Sequence, residues 1–228
     1  PLEKLSAEIP GLTLRVIADQ APDLGRTHVE LVPWAVETEV RELKRLRAGV
    51  APLPDEDCTA LCHDKRLLNE TLIGAGFAAH VPPMGADLAP PFICKPVHGE
   101  NSEHCLLVPD YAAILRLGDA IDQPGLFRQA AVRSEVEYAT HFIMKDGRLE
   151  RELTVAYHHD TPLFIKGSAS QTPAVRVVGT CPDTQTLTAM LRTIDYNGMG
   201  CANFKMANGR LQLLEINPRI GGSLMAYF

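Results

Sequence analysis

The sequence predicts an α+β protein in which antiparallel hairpins and amphipathic helices occupy separate stretches. Asp146-Gly147 and Asn208-Gly209 are each flanked by short runs of alternating apolar and polar residues, the mark of a hairpin turn. Between them, after Asp183, the residues Leu187, Met190, Leu191 and Ile194 recur at intervals of three, one and three, the pattern of a capped helix with one buried face. The chain of 228 residues is long enough to bury a substantial core, as one domain or two unequal ones. A net charge of -6 leaves no basic footprint for nucleic acid. Six cysteines do not make a dense disulfide framework, although Cys58 and Cys62 are four apart and could face one another on a helix. No apolar run approaches the roughly 20 residues of a membrane helix and no signal peptide is visible. Reduced thiols in a cytoplasmic protein are the simplest expectation. The chain starts at Pro1 and stops at Tyr227-Phe228, directly after a charged motif, so a further C-terminal portion is expected.

Leu12 to Ala18 and His28 to Val32 read as strands, at a spacing that fits the start of an α/β layer. Glu37 to Arg47 is helical by composition, with Val36, Val40, Leu43 and Leu46 as its apolar stripe and its cations late, where the helix dipole favours them. Ala51 to Pro54 reads as a linker. His63-Asp64-Lys65 opens a helix running to Ala75, with Gly76 as its stop. Lys65 falls in the first turn, where the dipole disfavours a cation, so an anionic partner and a solvated ammonium are both open.

Phe92 to Pro96 is a strand with Lys95 near its end, and the loop after it carries Gly99, Asn101 and Ser102 before an apolar run at Cys105 to Val108. Strand, small polar loop, strand is the geometry of a flap that wraps phosphates with backbone N–H groups and a hydroxyl while a lysine neutralises charge. It is not a Walker A sequence. Asp110 to Leu117 is helical, Phe127 to Val132 is a strand, and Val136 begins a meander that returns through Arg151 to Tyr157. Within it Glu137 either hydrogen-bonds a ligand hydroxyl or lies at a wet sheet edge. His98 and His104 lack a third metal ligand, and the neighbours His158 and His159 point to opposite sides of a strand. Lys166 and Arg176 either reach a substrate or belong to a surface loop.

The last hairpin runs from Cys201 to Met206 and back from Leu211 to Ile216. Leu211, Leu213, Glu215 and Asn217 share one parity, so the strand passes from apolar to charged along one face, and Arg219 adds a guanidinium at its tip. The alternatives are a structural ion pair and a charged site. Register decides whether Asn203 joins them. A strict two-residue turn pairs 203 with 214 and puts Asn203 and Glu215 on opposite faces. A three-residue loop at Asn208 to Arg210, or a bulge, sets Asn203 opposite Glu215, and the expectation is a turn that is not the simple one.

Five stretches in order, DK at 64–65, FICKP with HGENS at 92–102, EVEY at 135–138, YNGMGCANFK at 196–205 and LLEINPRIGGS at 213–223, resemble the ATP-grasp superfamily. The resemblance covers roughly residues 60–228. It implies an ATP-grasp fold in which two α+β subdomains clasp ATP: a shortened N-terminal α/β domain at 1–60, then an ATP-grasp domain at 61–228 with its small lid at about 90–132. It further implies a ligase that activates a small-molecule carboxylate as an acylphosphate for attack by an amine, with ATP and Mg²⁺ or Mn²⁺ as cofactors, no nucleic-acid or membrane partner, and a homodimer as one assembly. By this resemblance Lys65 and Lys95 are the nucleotide lysines, Gly99 and Ser102 belong to the phosphate-covering loop, Ala131 and Val132 to the hinge that meets adenine, and Glu137 is the acid near the ribose. Glu215, Asn217 and Asn203 match the metal ligands, and Arg219 the catalytic arginine facing the transferring phosphate. Two departures stand out: Asn203 where many relatives have an acid, and Ala130 where many have Glu. They leave open a nucleotide-binding scaffold without turnover, and a kinase with a non-carboxylate acceptor is a third reading.

Overall fold

A computed structural model describes residues 30–31, 49–50, 53–99, 102–166 and 173–227. The strand expected at Leu12 to Ala18 and the helix expected at Glu37 to Arg47 lie outside the described residues. β1 (Glu30–Leu31), inside the second expected strand, pairs in parallel with β2 (Gly49–Val50).

α1 (Glu56–His63) begins at Asp55, whose carboxylate accepts the Cys58 N–H, and Glu56 and Asp57 place further negative charge at the positive end of the dipole. One residue, Asp64, then ends α1 and caps α2 (Lys65–Leu72), accepting the Leu67 N–H at 2.8 Å. The helix continues into a π turn, Ile73–Phe77, where Gly76 takes φ 97, a conformation open to a residue without a side chain. Cys58 and Cys62 both turn inward and join Leu68 and Leu72 in one core. The boundary expected at residue 60 therefore falls inside a helix packed against the following one.

Two antiparallel sheets follow. The smaller has the order β4-β3-β5, built from β3 (Phe92–Pro96), β4 (Leu106–Val108) and β5 (Leu126–Ala130). α3 (Tyr111–Leu117), capped by Asp110, packs with it through Phe92, Cys94, Val108, Ala113 and Ile121. Strand alternation then sends Ile93 and Lys95 to the uncovered face.

The larger sheet has the order β10-β9-β6-β7-β8, from β6 (Val136–Lys145), β7 (Arg148–His158), β8 (Val175–Gly179), β9 (Gly198–Ala207) and β10 (Arg210–Asn217). α4 (Thr184–Thr193), capped by Asp183, lies with α1 and α2 on one face, where Leu68, Leu187 and Leu191 meet Phe204, Leu213 and Ile216. Each such fully buried aliphatic or aromatic side chain contributes about 1.5–3 kcal/mol.

The final hairpin corrects two expectations. Ala207 pairs with Arg210 and both Asn208 and Gly209 have positive φ, 51 and 73, so the turn is the simple two-residue kind. The register shift comes later: Leu213 pairs with Phe204, Leu214 bulges, and Glu215 pairs with Asn203. Because the bulge inserts one residue, it reverses the alternation. Leu211, Leu213 and Ile216 all face the helices, and Glu215 and Asn217 emerge on the other face from Leu211 and Leu213 rather than sharing theirs.

Candidate functional site

The uncovered faces of the two sheets enclose a cleft of about 600 Å³. Strand register arranges its floor in rows. Arg176, Tyr157, Glu137 and Lys205 lie side by side across β8, β7, β6 and β9; the next row holds Val155, Ala139, Asn203 and Glu215; the third holds His141, Cys201 and Asn217. Ile93, Lys95 and Leu107 of the smaller sheet form the roof, and Lys65 closes one end. All eleven residues to which the resemblance gives a role, Lys65, Lys95, Gly99, Ser102, Ala131, Val132, Glu137, Asn203, Glu215, Asn217 and Arg219, line this one cleft.

At the end near Lys65 the chemistry is that of a polyanion site. Lys65, the first residue of α2, donates through Nζ to the Gly99 carbonyl, and its own N–H bonds the Val97 carbonyl at 3.0 Å, so helix and loop are tied together. Lys95 Nζ reaches across from the roof to the carbonyl of the bulged Leu214 at 2.9 Å. Burial pushes the Lys95 ammonium down to about 8 against the pull of Glu215, and the like charge of Lys65 adds to the fall. Burial would raise Glu215, but Lys65, the Asn217 amide, Lys95 and Lys166 together outweigh it and hold the carboxyl below its usual range. Arg219 is buried beside them and donates to the Ile220 carbonyl at 3.3 Å.

One carboxylate and two carboxamides, the residues expected to face a metal, meet where β9 pairs with β10. Asn203 Nδ2 donates to Glu215 Oε1 at 2.7 Å and Asn217 Nδ2 donates to the same oxygen at 3.1 Å. Hard oxygen donors of this kind fit Mg²⁺ or Mn²⁺ once the amide oxygens turn toward the cation. Among the described residues no group of three His, Cys, Asp or Glu could hold a metal. The His98 ring instead lies 5.2 Å from that of His63, tilted by 41°, and His159 stacks on Phe164 at 3.6 Å.

Glu137 is buried in the central strand β6, not at a wet sheet edge, and forms an ion pair with Lys166 at 2.8 Å. Burial lowers Lys166, but the charge and hydrogen bond of Glu137 more than reverse this. Lys205, which the sequence left without a role of its own, is the second lysine beside Glu137. Its Nζ lies 3.5 Å from the centre of the Phe164 ring and donates to the Val132 and Ser134 carbonyls, each at 3.4 Å, which fastens the exit of β5 to the floor. The signal for it was parity: Cys201, Asn203 and Lys205 alternate along one strand face. The hinge backbone is engaged elsewhere too, since the Ala131 N–H bonds the Pro91 carbonyl at 3.0 Å and Gln129 Nε2 bonds the Pro82 carbonyl at 3.2 Å.

Past Arg219 the loop at Gly221–Ser223 folds onto the third row. A Cβ on Gly221 would stand 3.0 Å from Cys201 Sγ and 3.1 Å from His141 Cε1, closer than an ordinary Cβ contact, so a side chain here would press its neighbours aside by a few tenths of an ångström. Ser223 Oγ lies 2.6 Å from His141 Nε2, and burial pushes His141 down to about 4, leaving it neutral at physiological pH. The same end of the cleft holds Tyr157, with Lys166 at 5.0 Å and Arg176 at 5.4 Å from its ring centre. A hydroxyl, a guanidinium and an aromatic face are thus set beside the polyanion end, suited to a small polar molecule.

No family model and no curated protein sequence matches this chain. Solved structures do. D-alanine–D-alanine ligase from Bacillus anthracis complexed with ATP matches with a TM-score of 0.56 and 14% identity, over 82% of this chain and 66% of that one. L-amino acid ligase from Bacillus licheniformis matches at 0.57 and 17%, over 74% and 43%. Biotin carboxylase from Campylobacter jejuni, solved as a β,γ-ATP complex, matches at 0.58 and 13%, over 86% and 50%. The chain spans less than two thirds of the length of a further B. anthracis D-alanine–D-alanine ligase structure, 63%. Matches at such low identity are a likeness of architecture, and the fold they show is the ligase-like, ATP-grasp-type fold that the sequence motifs resemble.

Proposed function

We propose that the chain is the nucleotide-binding part of an ATP-dependent ligase that joins a small carboxylate to an amine. The observation that carries this reading is the gathering of Lys65, Lys95, Arg219, Glu215 and Asn217 in one cleft, brought together from three separated stretches of sequence. Lys65 and Lys95 grip the phosphates under the loop that holds Gly99 and Ser102, while Ala131 and Val132 border the base and Glu137 the ribose. Glu215, Asn217 and Asn203 face the metal, and a magnesium ion bound there would offset phosphate charge. Arg219, a planar fork of fixed charge, holds the γ-phosphoryl oxygens as the substrate carboxylate approaches.

In the reaction a carboxylate oxygen bonds to the γ-phosphorus as the bond to the ADP oxygen breaks. The amine nitrogen then attacks the acyl carbon, phosphate leaves, and the amine proton passes to solvent. The chain's own contribution is charge placed in advance, which is where most of the rate of such transfers comes from. Small-molecule substrates suit the dimensions of the cleft, and among the described residues no helix is long and apolar enough to cross a membrane.

The test is ADP release across a panel of carboxylates and amines, with hydroxylamine added to trap an acylphosphate. Release that needs both substrates, and a hydroxamate when hydroxylamine replaces the amine, supports the ligase. Tight ATP binding with no phosphoryl transfer across the panel overturns it in favour of a module without turnover, the second reading, which the neutral Asn203 beside Glu215 favours. Phosphorylation of a hydroxyl acceptor would identify a kinase.

A further inference from the structure

On the reading of the cleft as an ATP and magnesium site, we propose that it takes one divalent cation with the nucleotide rather than a pair, and that Asn203 sets this limit through an amide fixed at both ends.

The bulge at Leu214 places Asn203 directly opposite Glu215. Asn203 Nδ2 donates to Glu215 Oε1 at 2.7 Å, while Asn203 Oδ1, on the far side of the amide, accepts the Cys201 thiol at 3.7 Å. Cys201 is buried and sits beneath Gly221, where even a methyl group would come within 3.0 Å of its sulfur, so the thiol has little room to follow a turning amide. Offering the Asn203 oxygen to a metal therefore gives up two hydrogen bonds. Asn217 differs: among the described residues its amide oxygen has no such partner, and only the 3.1 Å bond to Glu215 resists its rotation.

Charge points the same way. Among the described residues, Lys65 and Lys95 line this end of the cleft around Glu215, while Lys166 pairs with Glu137 at 2.8 Å and Lys205 lies beside that pair. Glu103 and Arg176 line the cleft from exposed positions, where water screens them and their signs offset. Lys65 and Lys95 already set positive charge around Glu215, and one divalent cation with the triphosphate adds to it. A second cation would meet the repulsion of these lysines in a buried place with only the neutral amide of Asn203 to receive it, and an acid at 203 would lessen that repulsion.

The experiment is electron paramagnetic resonance titration of the whole chain with Mn²⁺ at a saturating concentration of a non-hydrolysable ATP analogue, with analogue binding followed separately by calorimetry. The expected result is one Mn²⁺ per bound nucleotide in the wild type. Asn203→Asp should take up a second, at least about tenfold tighter than any second wild-type ion, with the line broadening of two coupled manganese ions. Cys201→Ala, which frees the amide oxygen without adding charge, should tighten second-ion binding by a smaller factor, and it keeps the test open if Asn203→Asp does not fold. Two tightly bound Mn²⁺ in the wild type overturn the proposal, as does a folded Asn203→Asp that still binds one. Calorimetry showing no analogue binding overturns the nucleotide reading itself, and the cation count with it.

Discussion

Lys205 and Lys95 are ammonium groups buried with less than a full counter-charge each, an arrangement that costs stability in the ligand-free protein. Burial is the main cause that brings Lys205 down to about 8, opposed by Glu137 and reinforced by Lys166. Below that pH the folded state must hold a buried charge that the unfolded chain carries freely in water. Between about 8 and the ordinary lysine value of 10.5 the folded state has lost the proton and the unfolded state still binds it, so stability rises with pH there. Lys205→Met, which keeps an apolar contact with Phe164, should therefore raise the stability of the ligand-free protein at pH 7 by about 1–3 kcal/mol. Urea denaturation at pH 7 and pH 10 checks this, the gain shrinking toward zero at the higher pH. Glu215→Gln keeps the shape of the side chain and removes the only carboxylate among the three residues proposed to face a metal. It should leave melting of the ligand-free protein nearly unchanged while lowering magnesium-dependent affinity for nucleotide by at least about tenfold, measured by calorimetry with and without Mg²⁺. The residues of such a site are legible because their types are chemically narrow: a strand end carrying Glu215, Asn217 and Arg219 has few uses. Lys166 and Lys205 were less legible, since what marks them is burial, and a lysine in a sequence carries no sign of burial.

Among the elements, the capped helices and the hairpin turns were open to reading because their signals are local. Asp64, Asp110 and Asp183 each accept an N–H three residues on, and both turn dipeptides take the positive φ angles that Asn, Asp and Gly tolerate. α1 was harder to see, since its buried residues are Cys58, Thr59 and Cys62 rather than a stripe of large aliphatics. The Leu214 bulge was harder still: it is decided by what packs on each face of β10, and those partners come from α2, α4 and the roof of the cleft. β9 makes the tightest demand. A Cβ on Gly200 would lie 2.6 Å from the Phe142 ring and would also strike the Tyr196 hydroxyl, which donates to the Met199 carbonyl at 2.8 Å. Gly200→Ala should destabilise the fold by about 2–3 kcal/mol, read as a lower denaturation midpoint with an unchanged slope.

For the molecule as a whole, the two sheets have separate cores, and polar bonds such as those of Lys95 to Leu214 and Lys205 to Val132 cross between them. A ligand gripping both sheets should couple them. A magnesium complex of a non-hydrolysable ATP analogue at about a hundred times its dissociation constant should add about 2.7 kcal/mol to unfolding, seen as a concentration-dependent rise in melting temperature. Without that rise, the cleft does not bind nucleotide. Sequence order conveyed the architecture well because both hairpins are formed by neighbours in the chain, whereas the bonds between roof and floor join residues 73 and 119 positions apart. The bulge has one consequence for how this hairpin tolerates deletion. Leu214 is a supernumerary residue: without it, Leu213 and Glu215 become adjacent, Glu215 still falls opposite Asn203, and the alternation becomes regular from the turn to Asn217. A chain lacking Leu214 should thus fold and keep its carboxylate on the cleft face, losing an apolar piece of wall and the carbonyl that Lys95 grasps. Removing either neighbour would demand more, because Leu213 fills the core and Glu215 carries the charge.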